Sequence, residues 1–143
     1  PFRGYHQAEA YHFKASDDEP GEPVNRIRPR ALMIPPGFPD FPGRNRHLDR
    51  GRVTVAGRAW SGQAPIERVE VGCDGEWSDA TLAEPIGEWA WRGWHWEWEA
   101  TPGEHLLACR ATDASGDSQP EVQPWNIQGL GNNLIQQVSV LVR

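Results

Sequence analysis

Ile66-Glu67-Arg68-Val69-Glu70-Val71-Gly72-Cys73-Asp74-Gly75-Glu76-Trp77 alternates apolar with polar residues and then breaks at Asp-Gly. A period of two puts Val69, Val71 and Cys73 on one face and Arg68 and Glu70 on the other, the pattern of a half-buried strand. Asp74-Gly75 is the dipeptide of a two-residue hairpin, because both positions tolerate positive φ. The same alternation recurs upstream from Gly51, with Val53, Val55 and Ala59 inward and Arg52, Thr54 and Arg58 outward. Downstream, Trp94, Trp96, Trp98 and Ala100 oppose His95, Glu97 and Glu99, and Thr101-Pro102-Gly103 turns the chain into Leu106 to Ala111. Val138, Val140 and Val142 close the set. Thr81 to Ala83 reads as a weaker strand. Arg30 to Ile34 reads as an edge strand, stopped by Pro35-Pro36-Gly37 and followed by an irregular path through Phe38 to Gly43. About seven short strands with turns at this spacing predict an all-β, immunoglobulin-like two-sheet sandwich with a long irregular N-terminal segment. Its inward set is Val53, Val55, Val69, Val71, Trp96, Cys109, Val138 and Val140.

Composition agrees. The 143 residues hold 15 Gly and 13 Pro, enough chain for one core, and no run keeps an apolar period near 3.6 for the length of a helix. No stretch approaches the ~20 apolar residues of a membrane-spanning helix, so no membrane partner is expected. Pro1-Phe2-Arg3-Gly4 has neither an initiator Met nor the apolar run of a signal peptide, and the chain reads as an excised piece. Residues 1–23 divide into an aromatic-polar stretch (Phe2, Tyr5, Tyr11, Phe13) and an acidic, proline-flanked linker. The net charge of −6 hides a bipolar layout: residues 26–58 carry eight arginines against two acids, residues 67–121 thirteen acids against three arginines. Such asymmetry can be satisfied within the fold, across a domain boundary or across a homodimer. Nucleic acid is not an expected partner, since the arginines lack an aromatic-basic register and the overall charge repels phosphate.

Between the last two strands, Gln119 to Asn133 is rich in amides, with two prolines and two glycines, and cannot continue a ladder. Val122, Trp125, Ile127 and Leu130 are nevertheless too apolar for an idle linker. This is the pattern of a long loop presenting groups to a neighbour, anchored by Trp125 and held by Asn126 bonding loop backbone, with Gln128 at its tip. Elsewhere no catalytic constellation is legible. Cys73 and Cys109 lie at apolar strand positions, far from metal-ligand spacing, and read as free buried thiols, with a cross-strand disulfide as the alternative. The five histidines form no short cluster, Trp60-Ser61-Gly62 is not a nucleophile elbow, and no metal or cofactor ligand is assigned within the chain. Of the tryptophans, Trp94, Trp96 and Trp98 read as core, leaving Trp89 and Trp91 as interface candidates. An exposed tryptophan row would instead mean a carbohydrate-binding module.

A series of motifs carries a resemblance: Met33-Ile34-Pro35, Val55 to Gly62, Ile66 to Val71, Asp74-Gly75, Arg110-Ala111-Thr112-Asp113, Gln119-Pro120, Pro124-Trp125-Asn126 and Asn132-Asn133. In this order and spacing, from about residue 24 to the end, the chain resembles the C-terminal dimerisation domain of sulfite oxidase-type molybdenum enzymes. The resemblance implies a homodimerising sandwich (24–143) that packs on a preceding domain holding molybdopterin, with residues 1–23 as the tail of that domain plus a linker. In the family a cysteine of the preceding domain ligates molybdenum, so neither Cys73 nor Cys109 takes that role. The resemblance also implies a substrate-binding role for Gln128 and Asn126. In sulfite-oxidising members an arginine follows the Trp-Asn-apolar triplet, and here that position is Gln128. A neutral amide donates hydrogen bonds but offers a sulfur oxyanion no positive charge and no guanidinium fork.

Overall fold

The structure, a computed structural model, describes residues 3–143; Phe2, grouped above with the N-terminal aromatics, lies outside them. Each long alternating run becomes a strand, and the strands divide into two packed sheets. Four make one sheet in the order β3 (Arg30–Ile34), β6 (Gly51–Trp60), β10 (Arg92–Ala100) and β9 (Thr81–Leu82). Six make the other: β4 (Phe38–Asp40), β5 (Asn45–Leu48), β12 (Gln136–Val142), β11 (Gly103–Asp113), β7 (Ile66–Cys73) and β8 (Glu76–Asp79). A separate ribbon pairs β1 (His12–Phe13) with β2 (Glu22–Pro23). Within the sheets the pairings are antiparallel except β5 with β12. The fold is the expected immunoglobulin-like sandwich.

The core lies between the inner faces. Val55, Ala59, Trp94 and Trp98 from the four-stranded sheet meet Val69, Val71, Leu107, Cys109, Val138 and Val140 from the six-stranded one. Of the expected inward set, Val53 and Trp96 are half-buried and pack against the core, and the others are buried. Trp94 needs space that its cross-strand partner supplies: Gly57 sits opposite it, and a Cβ there would collide with the indole ring and the Leu32 carbonyl oxygen. At the β7–β8 hairpin Asp74 and Gly75 take φ of 52° and 92°, as the Asp-Gly dipeptide requires. Both cysteines are free thiols, Cys109 buried and Cys73 half-buried.

Three expectations are corrected. Glu70, read as an outward residue, is buried: Arg110 grips it with Nε at 2.7 Å and Nη2 at 3.0 Å, Arg68 adds a contact at 3.2 Å, and the Arg110 guanidinium lies 4.3 Å over the Trp77 ring. A carboxylate can be covered in this way because a bidentate guanidinium replaces its water. Phe38 to Gly43, expected to be irregular, begins with the edge strand β4. Its Pro39 is tolerated at the rim of a sheet, where one row of backbone groups needs no partner. One helical turn, His6–Ala10, occurs where no helix was expected, closed by Tyr11 N–H on the His6 carbonyl.

Candidate functional site

The loop from Gln119 to Asn133 leaves the end of β11 and returns to β12, and its two terminal amides fasten it to the sandwich. Gln119 is 4% exposed. Its Oε1 accepts from Ala31 N on β3 at 2.5 Å and from Ala111 N on β11 at 3.0 Å, so one oxygen bridges the two sheets. Its Nε2 donates to the carbonyls of Asn133 (3.0 Å) and Leu134 (3.3 Å). Asn133, equally buried, donates from Nδ2 to the Pro29 carbonyl at 3.1 Å. Both ends of the Gln119 amide and the Nδ2 of Asn133 are thus bonded, and these bonds tie the loop base to both sheets, while among the described residues Asn133 Oδ1 is buried without a partner.

Above this base the anchor differs from the one expected. Trp125 does not pack beneath the loop; it is 78% exposed. The anchor is Asn126, 7% exposed, which donates from Nδ2 to the Leu130 carbonyl at 2.9 Å and accepts the Leu130 N–H on Oδ1 at 2.7 Å. An amide offers a donor and an acceptor side by side, so it can close a backbone turn at both ends, which an indole cannot. Both ends of the Asn126 side chain are thereby engaged in loop backbone. Gln123 accepts the Asn133 N–H, and Asn132 accepts the Leu134 N–H while its carbonyl takes Arg30 Nη1 at 2.7 Å. Gln128 stands apart: it is exposed, and among the described residues its amide has no partner.

Around Gln128 the surface is apolar. Val122, Trp125 and Ile127 are exposed, and a hollow of about 450 Å³ is lined by Gln123, Trp125, Gln128, Leu130 and Asn132 among others. The N-terminal segment runs against this loop. Ile127 N–H bonds the Lys14 carbonyl at 2.9 Å, and the Phe13 ring lies against Gly131, close enough that a Cβ there would strike it. A second apolar surface flanks β3, where Ile27, Ile34, Trp60, Trp89 and Trp91 border a hollow of about 660 Å³. Trp89 and Trp91 are exposed there, as an interface reading expects. The carbohydrate-binding alternative finds no support in β10, where Trp94 and Trp98 are core rather than an exposed row. The opposite charges of the two halves are not neutralised within the fold. Among the described residues one ion pair, Arg52 with Glu97 at 3.3 Å, joins them.

Known proteins resemble this chain over most of its length. Residues 42–143 match the family model described as Mo-co oxidoreductase dimerisation domain. Mitochondrial sulfite oxidase of Mus musculus is 37% identical over 106 residues, which are 66% of this chain and 19% of that protein. An NADH nitrate reductase of Hordeum vulgare is 32% identical over 130 residues, 83% of this chain and 14% of that protein. The chain thus spans about a fifth or less of these relatives. In fold it is similar to the sulfane dehydrogenase SoxCD of Paracoccus pantotrophus, with a TM-score of 0.75 at 22% identity over 98% of this chain and 39% of that one.

Proposed function

This chain belongs to the Mo-co oxidoreductase dimerisation domain family, and from that premise we propose that it is the dimerising, pocket-completing domain of a sulfite oxidase-like oxidoreductase with a molybdenum cofactor. Residues 1–23 are then the tail of the cofactor domain plus a linker, and residues 24–143 the dimerisation domain.

The chain's own thiols do not fit a molybdenum ligand. Burial pushes the Cys109 thiol up to about 12, and burial with the neighbouring Asp74 carboxylate pushes Cys73 up to about 11. Neither is held as a thiolate in the absence of a metal, and no step of the reaction is assigned to them. Redox chemistry belongs to the preceding domain. This chain contributes Gln128, whose amide N–H donates to substrate oxygen, and Asn126, which fixes the turn that carries it.

The observation that carries this reading is that Gln128 is exposed and, among the described residues, is the one amide side chain of Gln119 to Asn133 that bonds no backbone group. A glutamine in a loop more often caps backbone, and here that work is done by Gln119, Gln123, Asn126, Asn132 and Asn133. The exposed Val122, Trp125 and Ile127 support burial of the tip against another domain, and the contact of Phe13 and Lys14 with the loop supports that domain being the preceding one.

Steady-state kinetics of the full-length enzyme with sulfite and with a neutral sulfoxide test the reading. Gln128→Ala removes one hydrogen bond to substrate and is expected to lower kcat/KM by about tenfold, the equivalent of roughly 1.4 kcal/mol. Gln128→Arg supplies a charge-assisted fork and is expected to lower KM for the anion alone. Unchanged constants for both substrates in both variants remove Gln128 from the site.

A further inference from the structure

We propose that Cys73, Asp74 and His105 form a divalent transition-metal site, suited to zinc, at the end of the sandwich away from the loop. The site is independent of the reading of Gln128. His105 lies near the start of β11 and Asp113 closes it, so eight residues of strand, roughly 27 Å, separate the two regions.

Three donors of different chemistry converge there: Cys73 Sγ, an Asp74 carboxylate oxygen and a His105 ring nitrogen all lie within 4.8 Å of one another. The hairpin brings them together. With φ of 52°, Asp74 turns back over the start of β11, where its N–H bonds the Leu106 carbonyl at 3.0 Å and its Oδ1 accepts Leu106 N–H at 2.8 Å. That leaves Oδ2 facing His105 Nδ1 at 2.7 Å and Cys73 Sγ at 3.7 Å. Tetrahedral zinc, with bonds of about 2.0 Å to N or O and 2.3 Å to S, needs donor separations of roughly 3.3–3.5 Å. The sulfur-oxygen separation is close to that. The oxygen-nitrogen separation is shorter because a proton lies between the two atoms, and it opens when a cation replaces the proton.

The surroundings match a metal site in two further respects. His105 Nε2–H donates to the Thr101 carbonyl at 2.8 Å, and the Trp98 ring meets the imidazole edge to face at 5.3 Å. A remote nitrogen held by a carbonyl is the outer-sphere contact that metal-ligating histidines make, fixing the ring with Nδ1 toward the ion. A hollow of about 320 Å³, lined by Asn45, Asp74, Glu104 and His105 among others, gives room for water or the Glu104 carboxylate as a fourth ligand. An Asp-His clasp alone would account for the ion pair, but it has no use for a thiol.

Both ring nitrogens of His105 face acceptors, an Asp74 carboxylate oxygen and the Thr101 carbonyl, an arrangement that favours the doubly protonated ring. Binding M²⁺ then releases two protons, one from Nδ1 and one from Cys73 Sγ. The thiolate and carboxylate balance the 2+ charge, and the occupied site is neutral. A set of sulfur, nitrogen and oxygen donors favours a borderline cation over calcium or magnesium, which prefer oxygen alone.

The test uses the full-length protein, reduced and stripped with chelator, titrated with Co²⁺ and then with Zn²⁺. The expected result is one equivalent per Cys73–Asp74–His105 site with a thiolate-to-cobalt charge-transfer band that zinc abolishes. The band persists in Cys109→Ser and disappears in Cys73→Ser, while His105→Gln weakens binding by more than about tenfold. Because a variant can fail to fold, alkylation of Cys73 in the wild type is followed in parallel by peptide mass mapping, and Zn²⁺ is expected to slow it selectively. Absence of saturable binding at micromolar Co²⁺, a cobalt spectrum without the charge-transfer band, or unchanged Cys73 alkylation with zinc each overturns the site. None of these outcomes bears on the kinetics of Gln128 variants.

Discussion

Replacing Gln119 by alanine should loosen the loop and the sandwich together, because its side chain is the hydrogen-bonded bridge between them. Four backbone groups depend on it: the N–H groups of Ala31 and Ala111 and the carbonyls of Asn133 and Leu134. Ala31 and Ala111 are fully buried, so their N–H groups cannot turn to bulk water. A buried group left without a partner costs about 1–3 kcal/mol. With two such donors, and carbonyls that retain other lone-pair options, the loss is roughly 3–5 kcal/mol, at least about a fifth of the stability of an ordinary domain. Gln119→Glu separates the two halves of the bridge: a carboxylate still accepts from Ala31 and Ala111 but faces the Asn133 and Leu134 carbonyls with no donor. Urea denaturation gives the total, and hydrogen exchange at Ala31 and Ala111 locates it. Gln119→Ala is expected to lower protection at both amides, whereas Gln119→Glu keeps that protection and frees the loop. A loss below about 1 kcal/mol in Gln119→Ala, with protection unchanged, would refute the bridging argument.

Two further outcomes follow. Burial pushes the Asp113 carboxyl up, but the Ser115 and Ser61 hydroxyls and the backbone N–H groups of Ser115 and Asp117 outweigh it and hold the group below its usual value of 3.8. A depressed folded-state pKa stabilises above the unfolded value and is lost as pH falls through the folded one. Asp113→Asn should therefore be about 1–3 kcal/mol less stable at pH 7, with the gap closing below about pH 4 in denaturation curves taken at both ends. Self-association of the full-length protein, measured by sedimentation at micromolar concentration, should weaken in Ile34→Asp and Trp91→Glu, which put charge into the apolar surface beside β3; a wild type that is strictly monomeric at low and high salt would sink the dimer.

Where side chains alternate against a core, the sequence was sufficient to read the fold. Val69 and Val71 on β7 and Val138 and Val140 on β12 face inward as their period requires, because a one-residue slip would turn Arg68 into the core on β7 and Gln137 and Ser139 on β12. Legibility ended where partners are remote in sequence. Glu70 looks exposed until Arg110, forty residues on, is known to cover it. Trp125 was taken as the loop anchor on its bulk, yet the loop is held by Asn126, whose value lies in two-ended hydrogen bonding that no hydropathy pattern records. β5 was invisible because it is short, has only the three-residue edge strand β4 on one side, and on the other pairs in parallel with β12, almost a hundred residues later. Cys73 and His105 meet only because a left-handed Asp74 folds back over β11, and sequence spacing carries no trace of that geometry.

The physical state of the loop tip bears on how it would act on a neighbour. Val122, Trp125 and Ile127 present apolar surface to water, a standing cost that burial against another surface relieves at about 25 cal/mol per Å². A flexible loop would give back much of that gain as ordering entropy, on the order of 1–2 kcal/mol per residue fixed. This loop has already been ordered by folding: Gln119 and Asn133 hold its base, Asn126 closes its turn on Leu130, and Lys14 holds its outer edge through Ile127. A domain that covers the three apolar side chains therefore meets Gln128 in a fixed position. On the proposed reading, Asn126 would act on substrate only through Gln128. Asn126→Ala leaves the glutamine amide intact but frees its backbone, and Asn126→Asp keeps the acceptor for Leu130 N–H while losing the donor to the Leu130 carbonyl. The positioning role thus requires Asn126→Asp to fall between wild type and Asn126→Ala in kcat/KM, with no change in either variant once Gln128 is already alanine. An additive loss in the double variant would mean that Asn126 reaches substrate independently of Gln128.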